Sequence, residues 1–181
     1  MHWPIVMFVI FAPGCVSTTA GIRGTATVEH HGEPGAVAVG SLGAGYAINR
    51  SSTVTLDVDV GSALGAPLLV GESVSYTRLH ASGGWRVGVG ASRAVLDDES
   101  HVRPRVFGEY LIPVHSTRRG PRASRCLNDK GCLDDLFPSP SYSSYWAVGI
   151  GPELFADFDD ETAIGLGLGV RLAWFGLWGG G

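Results

Sequence analysis

The sequence lacks any run of about 18 or more apolar residues, which excludes a membrane-spanning helix. Charged residues make up 17% of the 181 residues, well below the typical share, which argues against both a disordered chain and an ordinary water-exposed surface. The formal net charge of −4 lacks the basic excess of a nucleic-acid-binding protein. The motifs G-x-S-x-G and H-E-x-x-H are absent, so no common hydrolase or metalloprotease motif points to catalysis.

Cysteine is also scarce, with three residues at Cys15, Cys126 and Cys132. Removal or modification of Cys15 would leave the other two, which lie in one predicted loop. In an oxidising compartment we expect a disulfide between Cys126 and Cys132. No nearby Cys or His pair completes a four-ligand zinc set, and we expect neither a metal nor another cofactor.

The N-terminus carries a short apolar core, IVMFVIFA at residues 5–12, which is typical of a secretory signal. The segment Ala12-Pro13-Gly14-Cys15 that follows resembles a bacterial lipobox, and this resemblance implies lipidation of Cys15. The alternative is ordinary cleavage after Ala20. Residues 1–20 are therefore predicted to be a signal peptide or lipobox region, and residues 21–178 the folded domain.

Glycine, in contrast, is abundant, with 27 residues and no collagen-like repeat. From residue 21 onward, apolar residues alternate with polar or small ones, as in the segment from Thr53 to Val60. This period of two predicts strands with one apolar face. Short Gly-, Pro-, Asn- and Asp-rich segments separate the strands and predict turns. We predict an all-β, closed, eight-stranded antiparallel up-and-down barrel, with strands at about 22–30, 36–48, 52–61, 68–78, 84–95, 102–114, 143–156 and 162–175.

Each strand also has a face opposite its apolar one, and the composition of that face indicates whether the apolar residues point into the barrel or out of it. In a soluble barrel the apolar residues point inward, whereas in a transmembrane barrel they face lipid. Here the non-apolar face is rich in glycine and serine, which suit a narrow lumen better than a water-exposed surface. The same face carries charges of both signs that we expect to pair inside the barrel: Asp57, Asp59, Arg86, Arg105, Glu109, Glu153 and Arg171.

Six aromatic residues occupy the apolar parity near one end of the predicted barrel. This layout predicts an interfacial aromatic girdle at the level of the lipid headgroups. The alternative is that these residues form a hydrophobic plug that closes one end of a soluble barrel. The six residues are Tyr46, Tyr76, Trp85, Tyr110, Trp146 and Trp174.

With this pattern, residues 21–178 resemble the small eight-stranded outer-membrane barrels, the OmpA- and OmpX-like superfamily. The resemblance implies a transmembrane β-barrel in the outer membrane of a Gram-negative-type envelope. It further implies a structural, adhesive or loop-presenting role. The expected partners are membrane lipid, with lipopolysaccharide or a cell-wall polymer as further candidates, and not nucleic acid. Small side chains and paired charges predict a closed lumen rather than an open pore.

Two other functions fit parts of the sequence. A soluble periplasmic lipoprotein of lipocalin type would bind an apolar ligand in an inward-facing cavity. A lipid-modifying outer-membrane enzyme would use His115 and Ser116, with Glu109 as the orienting acid. Two features depart from the transmembrane pattern: Glu72 occupies the lipid-facing parity of the fourth strand, and the long connection at about 115–142 falls on the side of the termini.

Overall fold

The chain forms eight antiparallel strands that close into a barrel. The computed structural model describes residues 15–28, 34–49, 51–63, 68–80, 82–95, 102–119, 141–158 and 162–179. Within these residues no helix is long and apolar enough to span a membrane. The strands are β1 (Cys15–Val28), β2 (Pro34–Asn49), β3 (Ser52–Ala63), β4 (Leu68–His80), β5 (Gly83–Ala94), β6 (Val102–Arg119), β7 (Ser141–Phe158) and β8 (Thr162–Gly179).

Each strand pairs with its neighbours in sequence, and β1 pairs with β8 to close the sheet. Closure leaves no unpaired strand edge, which matters for strands this apolar. The register shifts at two places, between Ala47 and Asn49 and between Pro113 and His115. Pro113 has no backbone N–H to donate to the ladder, which accounts for an irregularity at this point.

Several strands are longer than the sequence predicts. Strand β1 begins at Cys15, seven residues before the predicted start, and β6 continues to Arg119 instead of residue 114. The sequence predicts that His115 and Ser116 lie in the long loop, but both lie in strand β6. Near the strand ends, several consecutive residues are all apolar or all polar, and the alternation is lost there. The period of two therefore predicts the centre of a strand better than its ends.

The two ends of the barrel can be told apart because both ends of the strand order, the start of β1 and the end of β8, lie at the same one. The end at which β1 begins and β8 ends is called the terminal end, and the opposite one the distal end. Because the topology is up-and-down, residues 120–140 join β6 to β7 at the terminal end. The β4–β5 turn also lies there, and its Gly83 has a φ of 147°, a conformation that favours glycine.

Candidate functional site: the barrel interior and the outer face

The outer face of the barrel is aliphatic. Leu56 and Leu166 are 51% and 58% exposed, and Val58 and Leu168 are similarly exposed. Asp57, between Leu56 and Val58, is fully buried in the lumen. The lipocalin-like alternative is therefore wrong for these strands, because it requires the alternating aliphatic residues to line the interior.

The six predicted girdle residues all have the outward register. Tyr46, Trp85, Tyr110 and Trp146 are exposed, and Tyr76 and Trp174 are partly exposed. Trp85 lies opposite Tyr110, and Trp146 opposite Trp174, in the strand ladders. The rings of Tyr76 and Trp85 pack at a centroid distance of 5.1 Å. All six lie in the terminal half of the barrel, on its outside, so they do not form an internal plug.

Among the residues that the structure describes, eight buried charged residues lie in the lumen, four arginines and four acids, so the formal charges of these eight cancel. Seven of them are the predicted lumen charges, and the eighth, Arg23 on β1, was not predicted. Ion pairs divide the eight into two layers. The proximal layer, nearer the terminal end, consists of Asp57, Arg86, Glu109 and Arg171, and the distal layer consists of Arg23, Asp59, Arg105 and Glu153.

Arg86 is the centre of the proximal layer and is fully buried. Its Nη2 lies 2.8 Å from Asp57 Oδ2 and its Nη1 lies 3.4 Å from Glu109 Oε2. Its Nε donates to Ser75 Oγ at 3.0 Å. Glu109 Oε1 also lies 3.5 Å from Arg171 Nε, so this acid bridges two guanidinium groups. Charge-assisted bonds of this kind are the strongest hydrogen bonds available to a buried charge.

Three hydroxyl groups complete the surroundings of the Asp57 carboxylate. Thr19 donates to Oδ1, and Thr55 and Ser75 donate to Oδ2 at 3.0 and 3.1 Å. The close packing also requires Gly43, since a Cβ there would collide with the Asp57 carboxylate and the Thr19 hydroxyl. Glycine in this strand therefore provides space for a buried ionic network.

The distal layer is a chain of charges joined through Glu153. Glu153 Oε1 lies 3.4 Å from Arg105 Nη1, and its Oε2 lies 3.3 Å from Arg23 Nη1. Arg105 Nη2 also pairs with Asp59 Oδ2. Thr25 donates to Glu153 Oε2 at 3.2 Å. Four atoms of this layer have no hydrogen-bond partner among the described residues: Asp59 Oδ1, Arg105 Nε, and Nε and Nη1 of Arg23. In the proximal layer the same holds for Arg171 Nε, so the distal layer is the less completely satisfied of the two.

Phe107 separates the two layers. Its ring centre lies 4.9 Å from the guanidinium carbon of Arg86, 5.7 Å from that of Arg105 and 6.0 Å from that of Arg23. Cation–π attraction at these distances stabilises three like charges around one ring. A Cβ at position 88 would collide with this ring, so Gly88 provides space for it.

The terminal end of the lumen is closed by buried apolar side chains, here called the apolar plug. Inward residues of β6 give the order of the layers: Leu111 in the plug, Glu109 in the proximal layer, then Phe107, then Arg105 in the distal layer. The plug was not predicted from the sequence. It consists of Ala47, Leu79, Leu111, Tyr145, Ala147, Ala173, Phe175 and Leu177.

The residues of the enzyme alternative do not form a catalytic arrangement. His115 and Ser116 are exposed, and His115 Nε2 lies 3.2 Å from Thr117 Oγ1. Glu109 is buried in the lumen, where its carboxylate is engaged by Arg86 and Arg171. The orienting acid is therefore committed to the ionic network and not to His115.

The three cysteines belong to the predicted disulfide and the predicted lipidation site. Cys126 and Cys132 lie outside the described residues. Cys15 is the first residue of β1, where its backbone pairs with that of Ala47.

Comparisons with known proteins found few similarities. No protein-family model matches the chain, and no curated protein matches it. Among solved structures, the chain is similar to the crystal structure of Neisserial surface protein A (NspA), with 14% sequence identity and a TM-score of 0.41. That similarity covers 88% of this chain and 98% of the other. The closed barrel is established independently by this chain's own strand pairing.

Proposed function

We propose that the chain is an outer-membrane β-barrel that crosses the lipid bilayer with its lumen closed. The observation that most strongly supports this is the opposite placement of aliphatic and charged residues along single strands. On β3, Leu56 and Val58 face outward while Asp57 and Asp59 are buried inside. Water would favour the reverse arrangement, whereas acyl chains favour this one.

The closed lumen follows from three kinds of side chain stacked along the axis. The apolar plug fills the terminal end, and the two charge layers with Phe107 occupy the middle. Buried, paired charges are held in place by their neighbours and do not line a water-filled channel. The barrel would therefore act as a scaffold with a structural, adhesive or loop-presenting role, as in the OmpA- and OmpX-like proteins it resembles.

Fractionation and conductance measurements test this proposal. The full-length protein should partition with outer membranes and should change its gel mobility on heating in detergent, as folded barrels do when they unfold. Reconstituted into a planar bilayer, it should give no stable ion conductance. Recovery in the soluble fraction without detergent would refute the membrane location, and steady conductance would refute the closed lumen.

We also propose that Cys15 is lipidated after cleavage of residues 1–14. The apolar core followed by Ala12-Pro13-Gly14-Cys15 supports this. Cleavage after Ala20 would instead remove residues that pair with both β2 and β8. Radiolabelled palmitate should be incorporated into the wild type and the Cys126→Ser control but not into Cys15→Ser. Equal labelling of all three, or of none, would refute the proposal.

A further inference from the structure

Glu72 is an isolated acid on the aliphatic outer face. It is exposed, and its ladder neighbours are Val58 on β3 and Ala91 on β5. Glu72 has no ion pair or hydrogen bond with any residue that the structure describes. Glu72 takes no part in the ion pairs of the lumen, so the closed barrel does not explain why an acid occupies this position.

The depth of Glu72 in the proposed bilayer can be obtained from the aromatic girdle. Glu72 lies four residues from Tyr76 along β4. At a rise of about 3.3 Å per residue and a tilt of about 40°, the two residues are separated by roughly 10 Å along the barrel axis. The apolar band of such barrels is about 25 Å tall. Glu72 would therefore lie near the middle of the hydrocarbon layer, where a carboxylate without a partner is destabilising.

A charge of opposite sign lies on the same face of the neighbouring strand. Arg93 on β5 is exposed and is paired in the ladder with Val70, two residues along β4 from Glu72. Such diagonal neighbours are separated by about 7–8 Å. The two side chains do not form an ion pair with each other, and Arg93 likewise has no partner within the described ranges.

We infer that the outer face of β4 and β5 binds the same face of a second copy of this chain, with Glu72 of each copy paired to Arg93 of the other. The inference rests on the proposed membrane location. A twofold axis along the membrane normal, passing between β4 and β5, places Glu72 of each copy opposite β5 of the other and keeps both copies in the same orientation. Arg93 lies two residues beyond the ladder partner of Glu72, about 5 Å further along the axis, and its long side chain must span this offset in both pairs. Ala91, beside Glu72, and Pro104, opposite Ala91 on β6, are small and allow close approach of the two sheets.

A second copy satisfies both charges better than other occupants would. The phosphate of a lipid headgroup could pair with Arg93 but would repel Glu72. A different protein would have to present an acid and a base in the complementary arrangement. The same face on another copy presents this arrangement by symmetry, because an interface of this type is self-complementary.

Charge reversal in the full-length protein tests the inference. Association is measured in lipid vesicles by energy transfer between donor- and acceptor-labelled copies. The wild type should dimerise, and Glu72→Arg or Arg93→Glu alone should weaken dimerisation by at least about tenfold. The double variant Glu72→Arg/Arg93→Glu should restore it. His115→Glu, which introduces a charge at an exposed position on β6 outside the proposed interface, should leave it unchanged.

The gel-mobility shift on heating first verifies that each variant is folded, and Glu72→Gln provides a milder variant that should also weaken the dimer. The wild type could insert into vesicles but stay monomeric at every concentration. Lipid would then occupy this face, which overturns the inference but leaves the proposed function intact. Dimers that are insensitive to the single reversals, or that the double reversal does not restore, overturn it too. Failure of the wild type to insert would instead refute the proposed function.

Discussion

The terminal and distal halves of the barrel differ both inside and outside. At the terminal end, the apolar plug occupies much of the lumen, and the six aromatic residues lie among aliphatic ones on the outer face. Beyond the plug, toward the distal end, the lumen contains the two charge layers and hydroxyl side chains. The described outward residues near the distal end are mainly aliphatic, among them Val60, Val102 and Ile164. One half is thus sealed and suited to a membrane interface, and the other keeps a polar interior beneath a lipid-compatible surface.

The two charge layers show the same contrast in their hydrogen bonding. In the proximal layer, adjacent to the plug, Asp57 accepts bonds from three hydroxyl groups as well as from Arg86. In the distal layer, Asp59 pairs with Arg105 alone, and several polar atoms have no partner within the described residues. Buried polar groups without protein partners are usually hydrated, so we expect more water in the distal layer than in the proximal one.

The largest expected effect comes from removing the central charge of the proximal layer. Arg86→Met leaves Asp57 and Glu109 without their shared guanidinium in a sealed part of the lumen. Loss of one partner from a buried ion pair costs about 3–5 kcal/mol. The free energy of unfolding, measured by urea titration in lipid vesicles with tryptophan fluorescence, should fall by about this amount.

Arg105→Met is the matched change in the distal layer, and it should cost less because water can solvate the acids left behind. Adding Asp57→Asn to Arg86→Met should recover part of the loss, since the uncompensated charge is then removed. Equal costs for Arg86→Met and Arg105→Met would show that the two layers are equally dry and would contradict the contrast between them.

An intermediate effect is expected from a cavity in the apolar plug. Leu111 is completely buried, and Leu111→Ala should lower the free energy of unfolding by about 2–4 kcal/mol through lost contacts and an unfilled cavity. Leu166→Ala is the control on the outer face, where acyl chains can fill the vacated space. The same titration should give a smaller loss for Leu166→Ala. A larger loss at Leu166 than at Leu111 would mean that the assignment of inside and outside is wrong.

The smallest effect concerns the aromatic girdle. Trp85→Ala removes the ring contact with Tyr76 on the outer face of the terminal half, where we predict the membrane interface, and pairs of this kind contribute about 1 kcal/mol beyond their buried area. Val102→Ala, on the outer face of the distal half, should cost less in the same vesicles. If the two substitutions cost the same, the outer faces of the two halves would not differ energetically.

The strand pattern made much of this architecture predictable. Alternation in segments such as Thr53 to Val60 is a property of local sequence, and a closed eight-stranded barrel is what the structure contains. The parity that placed Asp57 and Glu109 on the non-apolar face also follows from a period of two. Both are local features, so the sequence contains them without knowledge of which strands pair.

The apolar plug and Arg23 could not be predicted in this way. Leu79 and Leu177 lie beyond the predicted ends of their strands, and Leu111 lies between Tyr110 and Ile112, where three apolar residues in a row hide the alternation. Arg23 lies close to the predicted start of β1, in a glycine-rich segment with weak alternation. Which charges pair across the lumen depends on tertiary geometry, which no single strand encodes.

Collision accessibility of spin labels tests the central claim most directly. Single cysteines would be placed at Val58, Leu166 and Leu168, in a protein with the three native cysteines replaced by serine, and labelled after reconstitution into vesicles. The claim that the aliphatic face contacts acyl chains predicts strong relaxation by oxygen and little by a water-soluble nickel complex at all three positions. A label at Ser82, in the exposed β4–β5 turn, should show the opposite. Nickel accessibility at Val58, Leu166 and Leu168 equal to that at Ser82 would contradict the claim.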